Sequence, residues 1–228
     1  MSDQLPPPLP PSDDAGRAGP AWEQPGPLVQ RFLETVRGVL LDTVQFYRAM
    51  RRRGGLAAPL TFGVAGTLLG ALVGSLYQLM FASLGGGFAD PDVARDAAFV
   101  GLLSSGCIVV VLPLVAVLSM FVSAAIYHVM LLLLGSARQP FEATMRVVAY
   151  SMGSTSLLQV IPVCGGVFAA VWAIVANIIG LAQTHEISTG KAAAAVLVPI
   201  LVCCVLTALF YAALLAVMLG AAFGGLQQ

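Results

Sequence analysis

Apolar residues in this chain come in long blocks separated by short polar breaks, and the spacing within the blocks changes once. Over 28–50, Leu28, Phe32, Val36, Val39, Leu40, Val44, Tyr47 and Met50 recur mainly at intervals of three and four. That spacing predicts one amphipathic helix with a single apolar face. Further on the periodicity gives way to blocks that are apolar all round. A membrane helix needs roughly 20 such residues in a row. The blocks predict spans at about 59–83, 107–134, 145–163, 166–183 and 193–219. The breaks between them are GGGFADPDVARD (85–96), SARQPFEATMR (136–146), a tight Pro162–Gly166 hairpin and GLAQTHEISTGKA (180–192). The apolar run 97–134 is too long for one upright span and has no polar turn for two. It reads as one long tilted span over 107–134, with Pro113 as its kink point and the stretch before residue 107 as an extension.

Two of the blocks carry small residues every fourth position: Gly66, Gly70 and Gly74 in the first, and Ala208, Ala212 and Ala216 in the last. Such faces let a neighbouring helix approach closely. A homo-oligomer seam and an internal packing seam both fit.

Composition fixes the class. The chain is 58% hydrophobic and 10% charged, with a mean hydropathy of +0.91. An ordinary soluble domain is about 25% charged. The formal net charge of +0 offers no basic field for nucleic acid. Residues 1–27, rich in proline, glycine and acidic side chains, read as a disordered tail, with a polyproline tendency over 6–11. No apolar core follows a basic N-terminus, so this tail does not read as a signal peptide. Cys107, Cys164, Cys203 and Cys204 sit in apolar surroundings without metal-ligand spacing, as small hydrophobes do.

Charge sets the topology. With five spans and the N-terminus inside, Arg17, Arg31, Arg37, Arg48, Arg51, Arg52, Arg53, Arg138, Arg146 and Lys191 fall on the cytoplasmic side, and Arg95 outside. Six spans would move Arg138, Arg146 and Lys191 outward, against the positive-inside rule. The C-terminus then lies outside. Helix 28–50, followed by Arg51-Arg52-Arg53, reads as a basic interfacial helix with Arg48 and Arg51–Arg53 at the membrane surface. Its rival reading is packing against a soluble partner.

The same topology gathers His128, Glu142, Arg146, Tyr150, Asn177, His185, Ser188 and Lys191 near the cytoplasmic side. The residue types include metal ligands, but no HExxH or paired-histidine spacing occurs, and no GxSxG elbow surrounds Ser151 or Ser154. No catalytic residue, cofactor or metal is expected. His185 reads as a cap on the carbonyls ending the fourth span, Ser188 as the N-cap of the fifth, and Lys191 as snorkelling to headgroups. A polar path through Asn177, Gln159 and His128 is the transport alternative, although no acidic side chain lies within a span.

These stretches also carry a resemblance. HVMLLLLGSARQPFEATMRVVAYS (128–151), LQVIP (158–162) and VWAIVANIIGLAQTHEISTGKAAAAVLVP (171–199) resemble the Yip family of Ypt/Rab-interacting membrane proteins, in its bacterial branch. The resemblance implies a compact five-helix membrane bundle with a cytoplasmic N-terminal region. Eukaryotic members are associated with small GTPases and vesicle traffic. Their Asp-Leu-Tyr-Gly-Pro segment has no counterpart here, so GTPase binding is not carried over.

The expectation is therefore an all-α integral membrane protein of the bacterial inner membrane. It comprises a tail (1–27), a basic amphipathic interfacial helix (28–53) and a bundle of five transmembrane helices (54–224). It would act as a partner-binding or membrane-organising module. The partners expected are the lipid bilayer, a cytosolic or membrane protein, and a second copy of the chain. The alternative is a small transporter or lipid-handling protein with its path near His128 and Asn177.

Overall fold

The computed structural model describes residues 16–85 and 91–224, with side chains described outside 78, 79, 81–85, 91–110 and 219–224. The described residues are helical without a strand. Seven α-helices follow in order: α1 (Leu28–Leu41), α2 (Thr43–Ala49), α3 (Ala57–Gly85), α4 (Pro91–Leu133), α5 (Phe141–Thr155), α6 (Gly165–His185) and α7 (Thr189–Gly224). Four are long and apolar enough to cross a membrane: Ala57–Tyr77 in α3, Val111–Leu133 in α4, Gly165–His185 (α6) and Thr189–Met218 in α7.

The block expected as a span over 145–163 differs. Its helix, α5, starts at Phe141 after Pro140, lasts 15 residues and gives way to a 3-10 turn over Ser156–Val160. It is the core of the molecule: Ala143–Ser151 and Gly153–Thr155 are all buried. Small side chains such as Ala143, Ala149, Gly153 and Ser154 let its neighbours approach to backbone distance. Along α3, Gly63 faces the Ala149 carbonyl, Gly66 faces Gly153, Gly70 faces Ser156 and Gly74 faces Gln159. Farther along, Tyr77 donates to the Val160 carbonyl at 2.6 Å. Both series rise together, so α3 and the α5 segment run parallel. The Gly66/Gly70 face is thus closed within one chain and is not a seam between copies. α6 returns antiparallel, with Ser151 donating to the Ala173 carbonyl at 3.5 Å and Gly180 against Val147.

α4 is one helix of 43 residues passing through Pro113, about 65 Å long at 1.5 Å per residue. Its start at Pro91 takes Asp92, Arg95 and Asp96 out of the expected loop, while residues 86–90 lie outside the described ones. In α7, Ala192, Ala195 and Val196 are buried. Residues 201–218, including Ala208, Ala212 and Ala216, are all exposed.

The single helix expected over 28–50 is two. Asp42 leaves helical geometry at φ −119°, ψ 38°, as aspartate does readily. The break turns Phe46 back over α1, where the missing Cβ of Gly38 leaves room for its ring: a Cβ there would meet Phe46 at 2.8 Å. The apolar face of this pair, Val36, Val39, Tyr47 and Met50, is buried against the bundle. Leu28, Val29, Leu33 and Leu41 stay exposed. The pair therefore forms a cap on one end of the bundle, the end where α3 begins and α6 finishes.

Residues 16–27 also depart from the expected disorder. They form a strap with a 3-10 turn over Ala21–Glu23. Trp22 is buried, with its indole donating to the Ala58 carbonyl at 2.8 Å and its backbone N–H to Thr35 Oγ1 at 2.9 Å. A chain of aromatic contacts runs inward from it: Trp22 to Phe62 (5.6 Å between centroids), Phe62 to Tyr150 (5.3 Å) and Tyr150 to Phe46 (5.6 Å). The proline-rich run 6–11 lies outside the described residues.

Candidate functional site

Three polar groups assemble at the capped end, each tying separate elements together. The first is built on Thr144 of α5. The Gln139 backbone N–H donates to His185 Nδ1 at 3.2 Å, which puts the proton of the neutral ring on Nε2. That nitrogen lies 3.0 Å from Thr144 Oγ1, and the threonine hydroxyl in turn reaches His128 Nδ1 at 2.9 Å. His185 Nε2 then donates to Thr144 Oγ1, and the direction of the contact with His128 Nδ1 is set by the tautomer of that ring. The chain joins α6, α5 and α4. His185 is fully buried and its ring bonds inward, so it does not cap the carbonyls of α6 as expected. That end is closed by Glu186, in the left-handed region at φ 54°, with its own N–H and that of Ile187 both on the Ala182 carbonyl.

The second group surrounds Arg146, which is fully buried. Its Nη1 donates to the Gly55 carbonyl at 2.8 Å, and its Nη2 pairs with Glu23 of the strap. Tyr150, one turn on, donates to the same Glu23 oxygen at 2.6 Å. Glu142 accepts from the Gly55 N–H at 2.7 Å. One carboxylate oxygen thus takes two donors from α5. Arg146 Nε has no hydrogen-bond partner among the described residues. A buried guanidinium is costly unless paired, so the strap and the core of the bundle stand or fall together.

The third group centres on Glu186. Its carboxylate pairs with Arg52 and lies 3.5 Å from Arg17 Nη2, while its carbonyl accepts from Arg138 at 3.0 Å. The Arg52 hydrogen bond, with the charge of Arg52 behind it, holds the Glu186 carboxyl below its ordinary value. Arg52 is 5% exposed, so it is not the membrane-surface cation expected from the Arg51–Arg53 run. Arg48, Arg51 and Arg53 are exposed; Arg48 also reaches Gln183 at 2.8 Å.

Of the eight expected cluster residues, His128 and His185 meet through Thr144, and Glu142, Arg146 and Tyr150 meet around Gly55 and Glu23. Ser188 and Lys191 stay exposed on the α6–α7 turn, where the Ser188 carbonyl accepts from the N–H groups of Lys191 and Ala192 at 3.1 and 3.2 Å. Asn177 is apart: its amide donates to Ala173 of its own helix at 2.8 Å, and its Oδ1 and the Ser154 hydroxyl are buried without hydrogen-bond partners among the described residues. It does not join His128 in one path.

Sequence reasoning missed Trp22, Glu23 and Thr144. An Ala-Trp-Glu triplet inside a proline-rich stretch was the one available signal for the strap. Thr144 had none, being one hydroxyl in an ordinary polar turn. Among the described residues, no three His, Cys, Asp or Glu side chains gather as metal ligands.

The chain matches no curated protein and no solved structure. A family model, the Yip1 domain, matches residues 37–210, which take in α3 to α6, both histidines, Arg146 and Tyr150 but not Trp22 or Glu23. With most of its length covered by that match, the chain belongs to the Yip1-domain family of membrane proteins.

Proposed function

We propose that this protein is a non-enzymatic organising module of the bacterial inner membrane, working through its capped end as a cytoplasmic face. The observation that carries the reading is the charge at that end. Arg37, Arg48, Arg51, Arg53, Arg138 and Lys191 stay exposed there, while Arg17, Arg52 and Arg146 are taken up in holding the cap in place. An ordered cap with a basic outer surface fits a docking face for an acidic protein or for anionic lipid headgroups.

Five crossings, with the N-terminus inside and the C-terminus outside, belong to the same reading. The α6 end and the α4–α5 turn lie together, as the 3.2 Å contact from Gln139 to His185 requires. α6 runs the length of the bundle, which supports a crossing by the α5 segment that precedes it. Labelling tests this. In a chain stripped of Cys107, Cys203 and Cys204, exposed Cys164 and a Gly190→Cys variant should react with an impermeant maleimide from opposite sides of the membrane. Reaction from one side only would sink the five-crossing reading.

The module itself is tested by native mass spectrometry of protein taken gently from its own membrane. A co-purifying protein, lost on changing Arg48, Arg51 and Arg53 to glutamine, is the expected result. Retention of a defined lipid without any protein would favour a second reading, lipid handling. That reading is supported by the polar atoms of Arg146, Ser154 and Asn177 buried without partners along α5 and α6.

A further inference from the structure

Arg146 and Tyr150 belong to the family domain, but the carboxylate that holds them comes from Glu23, outside the matched residues. The domain thus contains a buried cation and a phenol aimed at one point, and a flexible-looking sequence supplies the anion. A single carboxylate oxygen is a sparse ligand for this site. A guanidinium offers five N–H donors, and here Nε has no hydrogen-bond partner among the described residues. A phosphate group has more acceptor oxygens and suits the planar fork of arginine.

We propose that the Arg146–Tyr150 pair is a phosphate-binding site, that Glu23 occupies it as an internal stand-in, and that phosphate binding releases the strap. The charge logic allows nothing neutral to take Glu23's place as a ligand, because a buried guanidinium left uncompensated is costly. The surroundings suit an amphiphile. Phe62 and Phe46 flank Tyr150, and α1, which continues the strap, leaves Leu28, Val29 and Leu33 exposed. The shared chemistry is a phosphate monoester or free phosphate, which the diester of phosphatidylcholine does not offer, and the probes separate the two. The inference rests on the lipid-handling reading for its ligand source. Maleimide labelling reports where the membrane lies, whereas the titration below reports what fills the site, so the two can fail separately.

The test uses the full chain in phosphatidylcholine nanodiscs with Trp172→Phe, leaving Trp22 as the only tryptophan. Acrylamide quenching of Trp22 then reports strap release. Phosphatidic acid in the nanodisc, or inorganic phosphate in solution, should raise quenching in the otherwise unaltered chain. A response to the lipid alone identifies a headgroup, and a response to both identifies soluble phosphate as a competent ligand. Glu23→Gln should raise retention of the active probe in native mass spectra by about tenfold, the size expected for removing a charge-assisted competitor. The double variant Glu23→Gln/Arg146→Gln should lose that gain. The proposal is overturned if Trp22 stays buried at saturating levels of both probes, if Glu23→Gln binds no better than the parent, or if the double variant binds as well as Glu23→Gln. Any of these leaves the Glu23–Arg146 pair a structural latch.

Discussion

Gly66 and Gly74 lie two turns apart on α3 and look alike in the sequence, yet a methyl group meets different things at each. At Gly66 it would run into Gly153 backbone, with the carbonyl carbon at 2.6 Å; at Gly74 it meets only the end of the Gln159 side chain at 3.3 Å. Backbone cannot swing aside and a glutamine amide can. Gly66→Ala should therefore destabilise the protein by about 1–3 kcal/mol, the usual cost of overpacking, and Gly74→Ala should be close to neutral. Thermal melts in one detergent decide it, and equal losses would mean that the α3–α5 contact is looser than described. Glu186 gives a pH prediction. Arg52 lowers its folded-state pKa, so its contribution is present above the ordinary carboxyl value and is lost as pH falls through the folded one. The stability gap between the parent and Glu186→Gln should thus narrow on acidification. The carboxylate is largely exposed, so the gap should be modest and shrink with salt. Glu186→Gly separates the two roles of this position, since it loses the ion pair but relaxes the positive φ. It should be more stable than Glu186→Gln at neutral pH, and the reverse order would show that the backbone there is unstrained.

At the scale of elements, α5 shows what local pattern can and cannot disclose. The long apolar helices α3, α4, α6 and α7 were legible because lipid asks for the same property all along a helix. α5 was legible as an apolar block but not as the core, since burial of Arg146, Thr144 and Ser151 depends on partners far away in the chain. Hydropathy sees a polar turn running to residue 146, whereas the helix begins at Phe141. The strap was misread for the same reason: Trp22 finds its acceptor 36 residues on and Glu23 its arginine 123 residues on, which no window reports. Thr144 carries a prediction about how the elements are joined. Its hydroxyl joins His128 of α4 to His185 of α6 by hydrogen bonds, beside a direct contact of the two rings at 6.1 Å. Thr144→Val keeps the shape and leaves two ring nitrogens short of a partner, one of them fully buried. The expected loss is about 2 kcal/mol, from the penalty for an unsatisfied buried group, and Thr144→Ser should recover most of it. If serine were no better than valine, the hydroxyl would not be the link.

The whole molecule divides into a bundle that meets lipid and a cap that closes one end of it. The bundle is held by backbone-close helices along α5. The cap, made of the strap, α1 and α2, is held by its buried apolar face, one aromatic wedge and three arginine–glutamate pairs. Elements with fewer buried contacts open first, as cooperative units below the cost of global unfolding. Trp22 is the wedge: it touches Phe32 and Phe62, bonds to Ala58 and Thr35, and carries Arg31 over its ring at 5.3 Å. Trp22→Ala should remove about 3–5 kcal/mol, the range for deleting a buried aromatic, and the loss should fall on the cap. Hydrogen exchange on the protein in nanodiscs can read this directly. Amides of the strap and α1 should exchange faster in Trp22→Ala, while those over 151–160, packed against α3 well away from the wedge, should keep the parent's protection. Faster exchange across both regions would mean that cap and bundle unfold as one. In that case the strap could not come away from Arg146 while the bundle stays folded, and no ligand could take Glu23's place.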